Sequence, residues 1–358
     1  IKSLETRPDI YYIILDSYGR ADFLKTYYGI DTSEFLNFLR ANGFYVAESS
    51  HSNYSQTTLS LASSMNFEYL DQILSTKGRD SENRQPLARL IRENSMADFL
   101  RSEGYTFIAF SSGYTFTEIF NADTYIDALG SNMNGFEKGF LINTAAIFWM
   151  KNINLDLHRS QTLNILDQLG QVSEVKTGMP RFIFAHILIP HKPFVFGPNG
   201  EYPVDRKSSD SDPSSGISED TNYSYPNYLH GNSEKYIQGY SGQLNYLNMR
   251  MEKVVAQILE NSEYDPIIIL QGDHGPEAFL NWEATDQTCF LERMGIFNAY
   301  HLPGGAHERL YPGITPVNTF RFILNEYFGK DFEILEDRVY FSKLSSPYQL
   351  HEVTKEAD

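Results

Sequence analysis

Three shortages restrict what this chain can be. Its 358 residues include a single cysteine, Cys289, so neither an internal disulfide nor a cysteine-based zinc cluster can form. Basic residues are few: 29 Lys and Arg stand against 46 Asp and Glu, for a net charge of −17. Nucleic-acid binding through the phosphates is therefore not expected. No apolar run approaches the roughly 20 residues that span a bilayer.

The composition is that of a globular protein, with 41% hydrophobic and 21% charged residues. Residues 1–330 are predicted to form one catalytic domain, and residues 331–358 a C-terminal hairpin and tail of the same domain. The tract 205–235 contains SSDSDPSSGISED and is predicted to be a mobile polar surface loop. The chain starts at Ile1, with no start Met and no signal-peptide pattern, so we expect it to be cut from a longer protein.

Short apolar runs alternate with amphipathic stretches along the chain. Strands are predicted at 8–15, 105–110, 181–190, 266–271 and 295–303, and the main helices at 33–42, 85–102, 233–260 and 315–328. Runs of this kind are typical of strands that are buried on both faces of a sheet. The alternation predicts an α/β fold with a mainly parallel central sheet sandwiched by helices.

Metal-binding side chains follow two of the predicted strands. Asp16 comes directly after IYYIIL, and Asp273 and His274 follow IIILQG. A strand-end Asp alone more often forms a turn or caps a helix. Open α/β sheets, however, carry their sites at the carboxyl ends of the strands, so we expect the three side chains to meet. Two carboxylates and one imidazole predict a site for Zn²⁺ or Mn²⁺.

Two threonines lie at a predicted helix start within SNYSQTTLSLASS. Thr57 or Thr58 could simply cap the helix. A threonine hydroxyl bound to a metal at a helix N-terminus would instead have a lowered pKa and would face an incoming phosphate. The two roles are compatible.

The segment FAHILIPHKPF carries two histidines and a lysine. His191, at the strand end, is predicted to bind a phosphoryl oxygen or to protonate a leaving group. His186, inside the strand, is either a core histidine or a substrate-binding group. Lys192 is either solvated or adds positive charge to the site.

Taken in chain order, these features resemble the alkaline phosphatase and sulfatase superfamily. The strand-end Asp16, the hydroxyl-rich segment, PHKPF and GDHG occur in the expected sequence. The chain is most similar to the membrane-anchored sulfatase-like hydrolase/transferase branch, which includes lipoteichoic acid synthases and phosphoethanolamine transferases. The resemblance runs from Pro8 to about residue 330 and implies an alkaline phosphatase-like fold.

The resemblance also implies roles for single residues. One divalent metal ion, Mn²⁺ or Zn²⁺ with Mg²⁺ and Ca²⁺ as alternatives, would be held by Asp16, Thr57, Asp273 and His274. Thr57 would be the nucleophile; it is preferred to Thr58 because a serine follows it three residues later, as in the threonine branch. The substrate-binding residues would be His191, Lys192 and His186.

Departures from the family pattern narrow the expected activity. The Cys or Ser followed by x-Pro-x-Arg of true sulfatases is absent, so sulfatase activity is not expected. The histidine that completes a second metal site about a dozen residues after GDHG is missing, which favours one metal. The early ligand is Asp16 where the lipid-dependent transferases often have Glu, and this leaves the substrate subclass open.

The implied function is transfer of glycerol phosphate or ethanolamine phosphate from a phospholipid or phospho-alcohol donor onto an envelope glycan or lipid, through a phosphothreonine intermediate. A phosphodiesterase or phosphatase that uses water, or a binding domain without catalysis, are the alternatives. The implied location is outside the cytoplasmic membrane, as an ectodomain anchored by an N-terminal segment that lies outside this sequence.

Overall fold

A computed structural model of the chain describes residues 7–71, 81–127, 151–203 and 233–357. Most of the predicted loop at 205–235 lies outside these residues. The strands are β1 (Ile10–Leu15), β2 (Phe44–Val46), β3 (Thr106–Phe110), β4 (Thr124–Ile126), β5 (Arg181–Ile187), β6 (Ile267–Gln271), β7 (Asn298–His301), β8 (Tyr340–Phe341) and β9 (His351–Glu352).

Helices fill most of the intervals between the strands. A π-helical turn (Leu24–Tyr28) directly follows the first α-helix of the chain. The α-helices are α1 (Ala21–Phe23), α2 (Ser33–Ala41), α3 (Thr57–Ser64), α4 (Gln85–Arg92), α5 (Ser95–Ser102), α6 (Lys151–Gln171), α7 (Ser233–Asn261), α8 (Phe290–Met294), α9 (Pro316–Phe328) and α10 (Thr354–Ala357).

Seven strands of the described part form one sheet in the order β2-β7-β6-β1-β5-β3-β4. β1 pairs in parallel with β5 and β6, and β3 pairs in parallel with β5 and β4. The predicted, mainly parallel sheet is therefore confirmed. The strand predicted at 295–303 is shorter than expected, and as β7 it runs antiparallel to both β6 and β2. β8 and β9 form a separate antiparallel pair.

β1 shows why helices cover the sheet on both sides. All six of its side chains are fully buried. Ile13 and its neighbours on one face pack in a cluster with side chains of α2, α6 and α7. Ile14 and the other face pack with α3, α4, α5 and α9. Because successive side chains of a strand point to opposite faces, a fully apolar central strand needs a layer on each side.

The prediction of a single helix over 85–102 is wrong, because the segment forms two helices, α4 and α5. The chain leaves the helical conformation at Glu93 and is extended at Asn94. The Asn94 side chain accepts a hydrogen bond from Ala97 N at 2.7 Å and donates one to Ile91 O at 2.9 Å. It therefore caps the start of α5 and satisfies a carbonyl at the end of α4.

We expect Asn94→Ala to lower the free energy of unfolding by about 1–2 kcal/mol, since it removes both hydrogen bonds at a buried position. Urea denaturation of the two proteins measures the difference. Gln85→Ala, at the exposed start of α4, is the control and should change stability by less than about 0.5 kcal/mol. Equal effects of the two substitutions would contradict the capping role.

Candidate active site

Three neighbouring parallel strands bring their polar side chains to one edge of the sheet. Asp16 follows β1, Asp273 lies just beyond the end of β6, and His191 lies just beyond the end of β5. His186 is inside β5, in register with Ile14 of β1. Because parallel strands end at the same edge, the fold brings these side chains together.

The carboxylates and imidazoles form a compact buried cluster. His186 Nε2 lies 3.2 Å from Asp16 Oδ2. His274 Nε2 lies 3.7 Å from Asp16 Oδ1 and 3.3 Å from Asp273 Oδ2. One donor atom each of Asp16, His186 and Asp273 fall within 4.8 Å of one another. The structure thus groups Asp16, Asp273 and His274, three of the four predicted ligands, and places His186, which was predicted to bind the substrate, beside them.

Ser17 ties the two carboxylate loops to each other. Its backbone has a φ of 67°, a conformation that residues other than glycine seldom adopt. In this conformation its N–H donates to Asp273 Oδ1 at 3.0 Å and its hydroxyl donates to Gly275 O at 3.1 Å. Gly275 itself lies so close to Glu292 that a Cβ atom there would be 1.9 Å from the Glu292 carbonyl oxygen. Only glycine fits this packing.

Thr57 is the first residue of α3, after Gln56 in an extended conformation. Its Oγ1 lies 3.1 Å from His274 Nε2, which brings the hydroxyl to the cluster. The Thr58 hydroxyl is fully buried and has no hydrogen-bond partner among the described residues. In this structure the hydroxyl that contacts the predicted ligand His274 is therefore that of Thr57.

His191 and Lys192 follow β5 at the same edge. The His191 backbone N–H donates to Asp16 O at 3.0 Å, and the His191 ring centroid lies 6.1 Å from that of His274. The Lys192 ammonium lies 2.6 Å from the Glu277 carboxylate, which is buried. Lys192 is therefore part of an ion pair beside the cluster.

Charge and burial set the protonation of the cluster. Burial alone would raise the pKa of Asp16, but the imidazoles of His191, His186 and His274 outweigh it and hold that pKa well below its usual range. Burial, aided by the Arg293 guanidinium, lowers the pKa of His274. An ionised carboxylate beside a neutral imidazole is the protonation state in which both groups bind metal ions.

The cluster fits a divalent cation. Asp16 Oδ1 and Asp273 Oδ2 are buried and have no hydrogen-bond partner in the described part of the chain. Buried carboxylate oxygens without a partner are costly, and a cation bound to both would remove that cost. Carboxylate oxygen with imidazole nitrogen is the donor set of Zn²⁺ and Mn²⁺ sites. Asp16, His186 and Asp273 offer donor atoms within 4.8 Å of one another that could hold the ion, with the predicted ligand His274 3.3 Å from Asp273 and the Thr57 hydroxyl 3.1 Å from His274.

The sequence analysis missed three residues near the site. Glu277 lies in the same GDHGPE segment as Asp273 and His274, and this closeness in sequence could have indicated that it lies near the site. Arg293 and His158 gave no signal, because tertiary packing alone places them there. His158, on α6, is buried, and its Nε2 has no hydrogen-bond partner in the described residues. Burial and the nearby His191 lower its pKa to about 4, so it is neutral at pH 7.

Another buried carboxylate, outside the cluster, has a pKa that its surroundings raise. Glu292, on α8, is fully buried and accepts hydrogen bonds from the Tyr28 hydroxyl and, at 2.9 Å, from Phe279 N. Burial raises the pKa of Glu292 to about 7, against the hydrogen bonds that lower it, and the charge of Glu277 adds to the rise.

Comparison with known proteins extends this geometry. A family model described as sulfatase matches residues 8–322. No curated protein sequence matches the chain. The C-terminal periplasmic domain of EptC from Escherichia coli, in complex with Zn, superposes with a TM-score of 0.58 at 13% identity, covering 98% of this chain and 94% of that one. The predicted resemblance to the alkaline phosphatase and sulfatase superfamily is thereby confirmed.

Two further solved structures have the same fold. The C-terminal periplasmic domain of phosphoethanolamine transferase EptC from Campylobacter jejuni gives a TM-score of 0.53 at 14% identity, covering 92% of each chain. The soluble domain of lipooligosaccharide phosphoethanolamine transferase A from Neisseria meningitidis gives 0.53 at 10%, covering 90% of this chain and 89% of that one. Identities this low establish the fold alone. Within the described ranges, no helix combines the length and the apolar character needed to cross a membrane.

Removing one central ligand should remove the metal. We expect Asp273→Asn to weaken Zn²⁺ or Mn²⁺ binding at least about tenfold, since the amide is uncharged and a poorer ligand. Calorimetric titration of the metal-free protein and the metal content after dialysis measure this. Asp286→Asn, at an exposed position on the same segment, is the control. Unchanged affinity in Asp273→Asn would contradict the site.

The pKa of Glu292 predicts a pH dependence of stability. Because the pKa is higher in the fold than in the unfolded chain, the stabilisation is fully present below about pH 4.5 and is lost as the pH rises through about 7. The free energy of unfolding of the wild type should fall by roughly 3 kcal/mol relative to Glu292→Gln between these values. Urea denaturation of the metal-free proteins at several pH values tests this, with the exposed Glu283→Gln as control. Parallel pH profiles of wild type and Glu292→Gln would be the contrary result.

Proposed function

Since this chain belongs to the sulfatase family, we propose that it is a metal-dependent phosphotransferase that moves a phospho-alcohol group onto an envelope glycan or lipid. One observation carries the proposal: the Thr57 hydroxyl stands 3.1 Å from His274 Nε2, inside a buried cluster of two carboxylates and two imidazoles. A hydroxyl in such surroundings is a nucleophile for phosphorus. Two solved structures of the same fold are named phosphoethanolamine transferases, which supports ethanolamine phosphate rather than glycerol phosphate as the transferred group.

The reaction would proceed by two displacements at phosphorus. In the first, Thr57 Oγ1, after losing its proton to solvent, forms a bond to phosphorus while the bond to the donor alcohol oxygen breaks, and the resulting phosphothreonine still carries the small alcohol that is to be transferred. In the second, the acceptor hydroxyl attacks phosphorus and Thr57 leaves. One divalent ion, Zn²⁺ or Mn²⁺ with Mg²⁺ and Ca²⁺ as alternatives, would supply Lewis-acid activation of the hydroxyl and of a phosphoryl oxygen.

The side chains around Thr57 would divide the remaining work. His191 would give a proton to the departing alcohol oxygen in the first step and take one from the acceptor hydroxyl in the second. Lys192, beside it, would bind a phosphoryl oxygen. His186 Nε2 lies 3.2 Å from Asp16 Oδ2, so His186 would mainly orient that carboxylate. Any contact of His186 with the substrate would be made from this same position.

The proposed setting is the outer face of the cytoplasmic membrane, as an anchored ectodomain. Its support is that the similar solved structures from Escherichia coli and Campylobacter jejuni are periplasmic domains. The donor would then be a phospholipid or another phospho-alcohol within the envelope.

The nucleophile is tested by a matched pair of substitutions. We expect Thr57→Ala to lower kcat on an aryl phosphodiester at least about a thousandfold, because the attacking oxygen is lost. Thr58→Val, which keeps the shape and removes a buried hydroxyl, should retain activity and metal content. Mass spectrometry of the quenched wild type should find the phosphate on Thr57. An active Thr57→Ala with an inactive Thr58→Val would reverse the assignment.

The acceptor is tested with natural substrates. Metal-loaded protein is incubated with an ethanolamine phospholipid and an envelope lipid or glycan, and the products are separated by mass. A modified acceptor supports the transferase. Release of ethanolamine phosphate to water, with the acceptor unmodified, would make the protein a phosphodiesterase instead.

A further inference from the structure

A buried carboxylate that the proposed mechanism does not use lies beside the site. Glu277 comes three residues after His274 and is only 8% exposed. Its Oε1 lies 2.6 Å from Lys192 Nζ, and its Oε2 lies 3.6 Å from Arg293 Nη1. Burial would raise the pKa of Glu277, but Lys192, His191 and Arg293 lower it to about 2, so the group is ionised at neutral pH.

Arg293 anchors Glu277 to the two loops that carry the ligands and the nucleophile. Its side chain is 1% exposed, and it lies 5.0 Å from the Trp282 ring centroid. Its Nε donates to Ser55 O at 2.8 Å, two residues before Thr57. Its Nη1 donates to Gly275 O at 3.2 Å, one residue after His274. A planar guanidinium held at this many points is rigid, so Arg293 fixes the place of the Glu277 carboxylate.

Lys192 is the more exposed partner of the Glu277 carboxylate. Its side chain is 25% exposed, and it follows His191 directly in the chain. An exposed lysine side chain loses considerable rotamer freedom when it is held in one position. The short ion pair to a carboxylate that is itself fixed provides the restraint. The three side chains carry two positive charges and one negative, so the group as a whole attracts anions.

We propose that Glu277 is a positioning residue that holds the Lys192 ammonium beside His191, where Lys192 binds a nonbridging oxygen of the phosphoryl group. This role rests on the proposed function: Lys192 would be the side chain that binds the phosphoryl anion, and Glu277 the residue that positions Lys192. An ammonium has three N–H donors and can bridge a carboxylate and a phosphoryl oxygen. Glu277 acts on the substrate only through Lys192.

A double-mutant cycle tests this dependence. The variants are Glu277→Gln, Lys192→Met and the double substitution, each loaded with the same metal ion. Calorimetry measures the Kd of inorganic phosphate, and steady-state assays measure KM and kcat on an aryl phosphodiester. Each single variant should raise the phosphate Kd and the KM about tenfold with a smaller change in kcat, because one charged contact is lost. The double variant should match Lys192→Met within about twofold.

Controls separate positioning from a general structural effect. Metal content and the circular dichroism spectrum should stay at wild-type values in Lys192→Met and Glu277→Gln, while the melting temperature should fall because each substitution breaks a buried ion pair. Glu326→Gln breaks an ion pair with Arg309 far along the chain and should leave phosphate binding unchanged. Lys192→Arg, which keeps the charge, should recover part of the affinity in the presence of Glu277 and none in Glu277→Gln. Should Glu277→Gln fail to fold, Glu277→Asp replaces it in the cycle.

Contrary results are equally defined. Multiplicative effects in the double variant would show that Glu277 and Lys192 act independently, and the proposal would be wrong. A normal phosphate Kd in Lys192→Met, or the absence of phosphate binding in the wild type, would also overturn it. If the wild type binds phosphate but cleaves or transfers no phosphodiester, the proposed function fails, while the cycle on phosphate binding still decides the role of Glu277.

Discussion

The structure depends on two carboxylates, Asp16 and Asp273, that are buried within reach of the same imidazole. Ionised carboxylates in a low-dielectric interior repel one another and lose their hydration, so they persist only with compensating positive charge or hydrogen bonds. Here part of the compensation comes from His186, whose Nε2 lies 3.2 Å from Asp16 Oδ2, and from the backbone N–H of Ser17, which donates to Asp273 Oδ1. Each carboxylate still keeps one buried oxygen without a hydrogen-bond partner among the described residues, and a bound cation would satisfy both oxygens and so link the fold to its chemistry.

The sheet order delivers this arrangement. β1 is the central strand, with β6 on one side and β5 on the other, so the loops after all three strands converge. The strand order changes direction at β1, and such switch points are where open parallel sheets bind ligands. α3 then presents the hydroxyl of its first residue, Thr57, to His274. Local strand and helix ends are thus enough to bring the Thr57 hydroxyl to the carboxylates and imidazoles of the cluster.

This explains which parts could be predicted from the sequence. Asp16, Asp273 and His274 depend only on strand ends and on parallel pairing, both visible as apolar runs. The antiparallel direction of β7 depends on its tertiary pairing with β6 and β2, which an apolar run does not reveal. The break at Asn94 depends on a helix cap that competes with a continuous helix. The side chain of His186 faces Asp16 because of the register between β5 and β1, which periodicity does not specify.

The charged groups around the cluster differ in how they respond to conditions. A metal ion supplies positive charge only when it is bound, and its affinity falls as its ligands are protonated. The charges of Lys192 and Arg293 are covalently attached, and they lie 2.6 Å and 3.6 Å from the Glu277 carboxylate. A side-chain cation beside His191 would therefore supply positive charge at any metal concentration. The positive charge of an ion bound at Asp16 and Asp273 would depend on that concentration.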